Sequence, residues 1–464
     1  MKTKIIWIPA GVLAALVVAL FALAAYFKPV THYIPVPEID RMQKASGDLT
    51  DCFWFASVYE NSLANYAYPD SGANYWVSQF KLPPGARLDF TGDFPHARHM
   101  SFNSYDDIGQ PADRLNDTMI VPEKAATNPF LEGAQRDAKE RAYAVHVQQA
   151  NVHAGADMTE RDSARPLNTL YVPTESSTVQ ILLRIYVPDK GLSPKGGVNF
   201  PRPTMTLADG RKVDGEELCK AIVIKEHSLR DIHLTMQAAK LLLSLKSALT
   251  SYHPAQPVPQ WRAFFNQFLF VGDLLDGTTV EGVKHLISGK RKGGFFSTLD
   301  NTYMVSYVDN RLGDELVIQG LAPTTPKTLE ANPVMHHGQL RYWSVCKYRS
   351  IYDTAVDYCL FDEQVPLKTN GEYTIVFSTP ELRPANAKPE CGVAWRPWGV
   401  GDGIDNPRGG LVVMRNMMPA ADFHQSIFDV KEEGAEKEAL GPYYPRSAYE
   451  AKAAFEARGC PVKS

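Results

Sequence analysis

The stretch "FPHARHMSFNSYD", from Phe94 to Asp106, concentrates side chains that bind anions or transfer protons. Side chains alternate along a strand, so Arg98 would begin an apolar face while His99 and Tyr105 share the opposite one. A guanidinium near a core must be paired or must reach a wet cleft. Arg98 could therefore bind an acidic ligand group or form a structural bridge. His99 and Tyr105 are the candidate catalytic residues, because these side chains can act as acid and base beside a carboxylate.

A second stretch, "LRYWSVCKYR", repeats this pattern with Arg341 at the start of an apolar face. The same two interpretations apply to Arg341, as a ligand-binding residue or a structural bridge. Arg415 and Asn416 follow the strand-like "LVVM" and could face a cleft. Trp395 could stack on a sugar or lipid ring, or it could belong to the core. These are the further ligand-binding candidates.

Metal ligands and activated nucleophiles have no recognisable signature. His96 and His99 would point to opposite faces of a strand, so joint zinc binding with His336 and His337 would need the strand to break. The Ser-x-x-Lys motif at Ser344–Lys347 lies in a strand, which separates its two side chains. Gly-x-Ser-x-Gly, His-Glu-x-x-His and Gly-x-Gly-x-x-Gly are absent. We therefore predict no metal and no cofactor.

Two distant segments, "GARLDFTGDFP" and "GDELVIQGLAP", share residues at a constant offset of 228 positions. Seven identities link residues 75–95 with residues 303–323, and two fainter echoes follow in the same order. Duplication of a β unit explains this pattern, and the alternative is convergence of strand composition. Gly92 and Gly320 each precede a proline by three residues, which predicts a turn with positive φ at both positions.

The predicted fold is mainly β (α+β), with two repeated β-sandwich-like units, a helical insert, one N-terminal transmembrane helix and a C-terminal helix. The boundaries follow changes in composition and periodicity. We expect an anchor or signal segment (1–30), a tether (31–45), a first β repeat (46–213), the insert (214–292), a second β repeat (293–430) and a helical tail (431–464).

The charge and the cysteine content limit the functions and compartments that suit this chain. The chain has 464 residues and a net charge of -4, and no basic cluster indicates nucleic-acid binding. Six cysteines permit three disulfides outside the cytoplasm. Cys346 and Cys359 are the best candidate pair, since they flank a short loop between two strand-like runs.

The N-terminus predicts export. Residues Ile5 to Phe27 carry no charge and could span a bilayer, and Lys2 and Lys4 precede them. An uncleaved anchor and a cleaved signal peptide both remain open. Either way, the bulk of the chain is expected to be periplasmic or extracellular, and an uncleaved helix would make the membrane its first partner.

The segments "YWSVCKYRS", "GEYTIVFSTPELRPANA", "GVAWRPWG" and "VMRNMMPAADFHQSI" resemble an uncharacterised family of exported bacterial proteins. The C-terminal half is also similar to β-rich bacterial domains of unknown function that occur in tandem. The resemblance implies export and a β-rich fold, and it implies no catalytic residue.

Three functional hypotheses follow. The first is binding of a small or envelope-derived ligand, such as a glycan or lipid, in a cleft between the two repeats. The second is a hydrolase or lyase that acts on a polymer without a serine triad. The third is a structural role beside an envelope protein. Convergence of His99, Tyr105 and a carboxylate in a cleft would favour the enzyme.

Overall fold

The chain folds mainly as β-structure, which confirms the predicted class. A computed structural model describes residues 31–34, 50–58, 65, 67–106, 109–152, 162–174, 178–224, 227–230, 255–266, 293–294, 296–349, 354–401 and 408–463. Two segments near the ends of the first half pair as a small antiparallel ribbon, β1 (Thr31–Ile34) with β12 (His227–Arg230). The first strand of this ribbon occupies the start of the predicted tether.

The first half forms two five-stranded sheets. Sheet A contains, in spatial order, β2 (Ala56–Val58), β3 (Ala73–Phe80), β9 (Val179–Pro188), β5 (Ala97–Tyr105) and β6 (Pro111–Asn116). Sheet B contains, in spatial order, β11 (Lys212–Asp214), β10 (Arg202–Thr206), β4 (Arg87–Asp93), β7 (Ala142–Ala150) and β8 (Thr169–Pro173). Neighbouring strands are antiparallel, except that β7 and β8 run parallel.

The second half also forms two sheets. Sheet C contains, in spatial order, β13 (Arg262–Ala263), β14 (Asn301–Asp309), β20 (Gly409–Pro419), β16 (Leu340–Tyr348) and β17 (Val356–Phe361). Sheet D contains, in spatial order, β19 (Ala394–Pro397), β18 (Glu372–Ser378), β15 (Glu315–Leu321) and β21 (Arg446–Glu450). Here too one pair is parallel, β18 with β19.

The two halves use the same strand order. The spatial order is β2-β3-β9-β5-β6 in sheet A and β13-β14-β20-β16-β17 in sheet C. In each sheet, the strand that comes last along the chain (β9 or β20) lies in the middle. β3 begins at Ala73 and β14 at Asn301, and β4 begins at Arg87 and β15 at Glu315, so both pairs start 228 residues apart. Sheets B and D each end in the parallel pair.

Three apolar clusters hold the sheets together. The cluster between sheets A and B includes Trp76, Leu88, Phe102 and Val145. The cluster between sheets C and D includes Met304, Ile318, Trp343 and Phe377. A third, tyrosine-rich cluster joins sheet A to sheet C and includes Tyr75, Tyr105, Tyr186, Tyr342 and Met417. Sheets A and C are therefore covered on both faces, which explains why β5 is buried along its whole length.

Gly92 and Gly320 lie inside strands, so the predicted positive-φ turns are wrong. Neither glycine has a positive φ. Gly92 pairs with Tyr143 and Gly320 pairs with Tyr373, and each tyrosine ring crosses the glycine. A Cβ at Gly320 would lie 2.9 Å from the Tyr373 hydroxyl oxygen. Close approach of an aromatic ring, and not backbone conformation, requires glycine at both positions.

The C-terminal tail departs from the helical prediction. Residues Arg446–Glu450 form β21, which pairs with β15, and the α-helices of the predicted tail are two short ones, Glu436–Leu440 and Lys452–Glu456. Pairing with the exposed edge of β15 outweighs the helical propensity of this segment. The tail is thus part of sheet D.

The insert also differs from its prediction. Gly215–Ile222 are helical, as expected, and a further short helix, Glu436–Leu440, follows the second half. Residues 261–265, predicted as helical, contain the strand β13. The other helices predicted for 214–292 lie outside the described residues. Among the described residues, the helices with assigned bounds are α1 (Gly215–Ile222), α2 (Glu436–Leu440) and α3 (Lys452–Glu456).

None of the helices within the described residues has the length and apolar character needed to cross a bilayer. The predicted anchor, residues 1–30, lies outside the described residues. The expectation of a membrane-spanning segment there therefore stays a prediction.

Three disulfides are present: Cys52–Cys219, Cys346–Cys359 and Cys391–Cys460. The expectation of disulfide cross-links is confirmed, and the pair chosen from the sequence, Cys346–Cys359, joins directly opposed residues of β16 and β17. Cys391–Cys460 ties the C-terminal tail to sheet D. Three disulfides and no free cysteine among the described residues suit an oxidising compartment.

Glu315 is buried beneath the C-terminal tail on the outer face of sheet D. It lies opposite Ser378 on β18 and Glu450 on β21. The residue is 0% exposed, and a side-chain hydrogen bond with Ser378 lowers its pKa by less than burial raises it. Burial raises the pKa of Glu315 to about 7. The carboxyl group is therefore protonated under mildly acidic conditions.

Glu315→Gln should flatten the dependence of unfolding free energy on pH. A raised native pKa contributes stability that is complete below the ordinary value of 4.5 and is lost as pH rises through about 7. The loss amounts to up to about 3 kcal/mol, since one pKa unit corresponds to ~1.4 kcal/mol. Urea unfolding between about pH 5 and about pH 8 measures it.

Glu381→Gln is the matched control, because Glu381 is exposed in the same half of the protein. Parallel pH profiles for the wild type and Glu315→Gln would contradict the role of the buried carboxyl group.

Candidate functional site

Four arginines lie where sheets A and C meet. Arg98 and Arg341 stand near the start of β5 and β16, and Arg184 and Arg415 lie inside the neighbouring strands β9 and β20. Three of the four are at least 96% buried: Arg98, Arg184 and Arg415. Buried guanidinium groups need oxygen acceptors, so their partners define the chemistry of this interface.

Arg98 crosses from the first half to the second. Its guanidinium binds the carboxylates of Asp362 and Glu363 and donates a hydrogen bond from Nε to Thr328 Oγ1 at 3.0 Å. Arg98 and Asp362 are both almost completely buried. Of the two interpretations of Arg98, the structure supports the structural bridge.

Arg341 makes the reverse contact. Its Nη1 lies 4.0 Å from Asp117 Oδ1 and donates to the Arg98 carbonyl oxygen at 3.3 Å. Asp117 begins the short turn after β6, and Asp362 begins the equivalent turn after β17. Each half therefore directs an arginine at the matching aspartate of the other half. The second contact is longer and more exposed than the first.

His99 and Tyr105 do not meet. Nδ1 of His99 lies 2.8 Å from Asp117 Oδ2. Burial alone would raise the pKa of Asp117, but His99 and Arg341 together hold it below its usual value. Tyr105 is six residues further along β5, about 20 Å away, and accepts a hydrogen bond from Arg184. Both predicted catalytic side chains are fully buried, and neither lines the cleft between the two halves.

Arg415 belongs to a buried cluster of tyrosines. Its Nη2 donates to the Tyr348 hydroxyl at 2.5 Å and to the Tyr68 carbonyl at 2.8 Å. Its Nη1 lies 3.6 Å from Asp70 Oδ2 and 3.0 Å from Cys346 Sγ. Asp70 also accepts hydrogen bonds from Tyr342 and Ser344. Arg415 is thus paired and does not face an open cleft.

Arg184 has nearly the same surroundings in the first half. Its Nη2 donates to the Tyr105 hydroxyl at 2.6 Å and to the Phe296 carbonyl oxygen. The ring of Tyr75 lies beneath Arg184, as the ring of Tyr303 lies beneath Arg415. We call these two arginines and their partner tyrosines the tyrosine–arginine cluster; its tyrosines are Tyr75, Tyr105, Tyr303 and Tyr348.

The cluster keeps its phenols neutral and its guanidiniums charged. Burial raises the pKa of Tyr303 to about 12, although the Arg415 guanidinium acts in the opposite direction. Burial also raises the pKa of Tyr105. Burial alone would lower the pKa of Arg184, but its neighbouring tyrosines raise it above the ordinary value. The tyrosine–arginine cluster therefore holds two cationic side chains at neutral pH.

The two remaining ligand-binding candidates have structural contacts. Asn416 donates to the Arg415 carbonyl at 2.9 Å and accepts from the Ile427 backbone at 3.0 Å. Trp395 donates from Nε1 to Ser378 Oγ at 2.9 Å, and the Arg383 guanidinium lies 4.4 Å from its ring. Neither contributes to a cleft in the described part of the chain.

The histidine pairs do not assemble a metal site. His96 contacts Arg141, and His337 contacts Glu132 on the surface. The described residues contain one group with ligand atoms in metal-binding proximity, Asp70 with Cys346 and Cys359. Those two sulfur atoms form a disulfide, so they are not thiolate ligands.

An open cleft of about 600 Å³ lies between the two halves. One wall comes from β6 and residues 162–168, and the other comes from residues 299–300, 418–419 and Phe428. The polar lining consists of Arg114, Asn116, Thr118, Asp162, Arg165, Asn168 and Asp300, and the apolar lining includes Met119, Leu167, Leu299, Met418 and Phe428. This volume is within the range of small-molecule sites.

Ion pairs shape the polar wall of the cleft. Arg165 holds Asp113 with two hydrogen bonds of 2.7 and 2.8 Å and also donates to Asp162 at 2.7 Å. Arg114 donates from Nη1 to Asp162 at 3.0 Å, and its Nε lies 2.7 Å from Asp300. Burial alone would raise the pKa of Asp162, but the two arginines hold it below its ordinary value. Nη2 of Arg114 has no partner among the described residues, so it can donate to a ligand.

Sequence reasoning missed the residues of the cleft and four of the six residues of the tyrosine–arginine cluster, including Arg184. Arg184 lies in "VQILLRIYVP", where it is the one charged residue in a long apolar strand. A charged residue in such a strand indicates a buried side chain with specific partners. Arg114, Asp162 and Asp300 lie in ordinary polar segments, and nothing in their local pattern marks them. Their proximity depends on how the two halves pack.

No protein-family model and no curated protein matches the chain. Among solved structures, an uncharacterised protein of Burkholderia cenocepacia is similar at a TM-score of 0.43 and 13% identity, over 95% of this chain and 97% of that one. The VPA0106 protein of Vibrio parahaemolyticus is similar at a TM-score of 0.36 and 12% identity, over 83% of this chain and 91% of that one. Scores at this level do not establish a shared function.

Arg98→Met should destabilise the protein by about 3–5 kcal/mol, because it leaves Asp362 buried beside Glu363 without the guanidinium. Arg341→Met is the matched control and should cost clearly less, since its contact is longer and its side chain is 12% exposed. Denaturant unfolding followed by tryptophan fluorescence measures both. Equal costs would show that the two crossed contacts do not differ in strength.

Proposed function

We propose that this protein binds a small polar ligand in the cleft between its two halves. The observation that carries the proposal is the cleft itself, whose opposite walls belong to different halves and combine charged with apolar groups. Ligand sites commonly occur at such junctions between folded units. The burial and separation of His99 and Tyr105 leave the hydrolase or lyase hypothesis without a favouring observation.

The walls of the cleft favour a ligand with hydroxyl or amide groups. Asp162 and Asp300 balance Arg114 and Arg165 in the lining, and Asp113, which binds Arg165, adds one further negative charge, so the lining carries no excess positive charge for a strongly anionic ligand. Nη2 of Arg114 offers donors, and Asp162, whose side chain is 26% exposed, offers acceptor lone pairs. Leu167 and Phe428 add apolar surface that can pack against a ring or chain.

We infer that the two halves descend from one duplicated β unit. The shared strand order, the parallel pair at one edge and the matched glycine–tyrosine contacts support this origin. Arg184 and Arg415, with Tyr105 and Tyr348, support it further. Duplication followed by face-to-face packing would create a cleft at the junction in one step.

We also propose that the chain works on the outer side of a membrane. The three disulfides support an oxidising compartment, and the uncharged run from Ile5 to Phe27 supports a membrane anchor or an export signal. Fusion of alkaline phosphatase, which is active only after export, to the C-terminus tests this. An inactive fusion would contradict it.

Leu167→Trp should abolish ligand binding without unfolding the protein, because Leu167 is 72% exposed and the larger ring would fill the cleft. Native mass spectrometry of the purified protein after incubation with a metabolite extract of the cell envelope would detect the bound mass. Leu367→Trp is the matched control, since Leu367 is exposed outside the cleft.

The expected result is an adduct that the wild type and Leu367→Trp retain and Leu167→Trp loses. An adduct that survives Leu167→Trp would place the site elsewhere. The absence of any adduct, with a protein partner co-purifying instead, would favour the structural role.

A further inference from the structure

The junction between the two halves has two sides, which the internal repeat relates to each other. Asn116 ends β6 and Phe361 ends β17, and each lies directly opposite a serine of the neighbouring strand. A short turn of three residues follows in both halves. Thr118 is the second residue of the first turn, and Glu363 is the second residue of the other. Because Thr118 lines the cleft, the surroundings of Glu363 show what the equivalent place holds.

On the side of Glu363, the chain itself fills this place. The carboxylate of Glu363 accepts hydrogen bonds from the backbone N–H groups of Thr328 and Leu329 at 2.9 and 3.0 Å. The Leu329 carbonyl oxygen accepts a hydrogen bond from the backbone N–H of Lys190 at 2.7 Å. Thr328 is 0% exposed, and Arg98 donates to its hydroxyl group at 3.0 Å. This side of the junction therefore holds a peptide segment largely by its main chain.

The segment belongs to a link that is long in one half only. Residues 322–339 connect β15 with β16, whereas residues 94–96 connect the matching strands β4 and β5. The short link has no residues that correspond to Thr328 and Leu329. The place beside Thr118 accordingly belongs to an open cleft.

The open side offers polar groups for a main chain. Thr118 donates its hydroxyl proton to Asn116 at 2.8 Å and keeps lone pairs that can accept an N–H group. Ala421 lies two residues after the proline that ends β20, as Lys190 lies two residues after the proline that ends β9. The backbone N–H of Ala421 is exposed and has no partner within the described residues, so it can donate to a carbonyl oxygen. Nη2 of Arg114 is a second such donor.

We propose that the cleft binds a peptide segment through its main chain, in the way that the Glu363 side holds residues 327–331. A peptide is one class within the polar ligands of the proposed function, on which this inference rests. The charges of the lining are already balanced, so an internal stretch of peptide fits better than a charged terminus. Met418 and Phe428 can pack against one apolar side chain, as the tyrosine-rich cluster packs against Leu329. Main-chain hydrogen bonds combined with a side-chain pocket are a common means of peptide recognition.

The probe is the capped pentapeptide acetyl-Lys-Thr-Leu-Glu-Ala-amide, which has the sequence of residues 327–331. Isothermal titration calorimetry should show saturable binding to the wild-type protein. The same peptide with N-methyl groups on its Thr and Leu nitrogens lacks the two donors that Glu363 accepts internally. It should bind about tenfold more weakly, because two hydrogen bonds are lost. Equal affinities of the two peptides would overturn main-chain recognition.

Thr118→Glu places in the cleft the carboxylate that the other side has. It should tighten binding of the unmethylated peptide by about tenfold, because hydrogen bonds to a charged acceptor are stronger, and the methylated peptide should gain nothing. Thr118 is exposed, so the substitution is compatible with folding. Thr118→Gln is the matched neutral control and should tighten binding less. No gain in Thr118→Glu, or an equal gain for both peptides, would contradict the proposal.

Leu167→Trp separates this inference from the proposed function. It should abolish peptide binding, whereas Leu367→Trp should retain it. Peptide binding that survives Leu167→Trp would place the peptide site outside the cleft and overturn the inference. If the wild type binds no peptide but retains an envelope adduct that Leu167→Trp loses, the proposed function stands and the inference fails. If neither the peptide nor any adduct binds, both fail.

Discussion

A buried guanidinium cannot leave its charge without acceptors, and this constraint governs the contact between the two halves. Arg98 reaches Asp362 and Glu363 across the junction, and Arg415 reaches Asp70 and the Tyr68 carbonyl. Each acceptor belongs to the opposite half. Neither half could therefore bury its own arginines alone, because the groups that satisfy them would be absent.

The interface is accordingly polar and directional at its centre. Apolar packing between sheets A and C comes mainly from tyrosine rings, which bury large surfaces while keeping a hydroxyl group for hydrogen bonding. A purely apolar interface tolerates sliding, whereas crossed arginine–carboxylate contacts fix one register. The relative placement of Arg114 and Asp300, on which the cleft depends, follows from that register.

Some contacts occur at matching positions in both halves, and others occur in one half only. The glycine–tyrosine contacts are present in both halves, where each lets an aromatic ring approach the backbone of a neighbouring strand. Asp70 lies beside Arg415, whereas the residue 228 positions later is Thr298, so Arg184 has no ion pair within the described residues. The comparison is informative because the other surroundings of Arg184 and Arg415 are nearly the same.

The polar wall of the cleft occurs in the first half only. Asp113, Arg114 and Asn116 on β6 correspond to Tyr358, Cys359 and Phe361 on β17, so its polar wall has no counterpart. One side of the junction became a disulfide-bonded, apolar edge, and the other became an open polar surface. The two halves therefore differ in side-chain chemistry at the positions that line the cleft.

Strand patterns, the internal echo and the cysteine count could be read directly from the sequence, because alternation and close backbone approach are local properties. The sequence also predicts the position of Arg98 in a strand. It does not predict the contact with Asp362, because the two residues are 264 positions apart in the chain. The prediction of a helical tail was wrong because the sequence of residues 446–450 does not show that an unpaired edge of β15 is available to pair with them.

The residue types, their alternation and the repeat were thus determined by the sequence alone. Which arginine meets which carboxylate, where the cleft opens and which buried arginine has no ion pair within the described residues were decided only by the tertiary structure. The reason is physical: a charge is paired or unpaired according to distance in space, and those distances arise from the packing of two sheets whose strands are far apart along the chain.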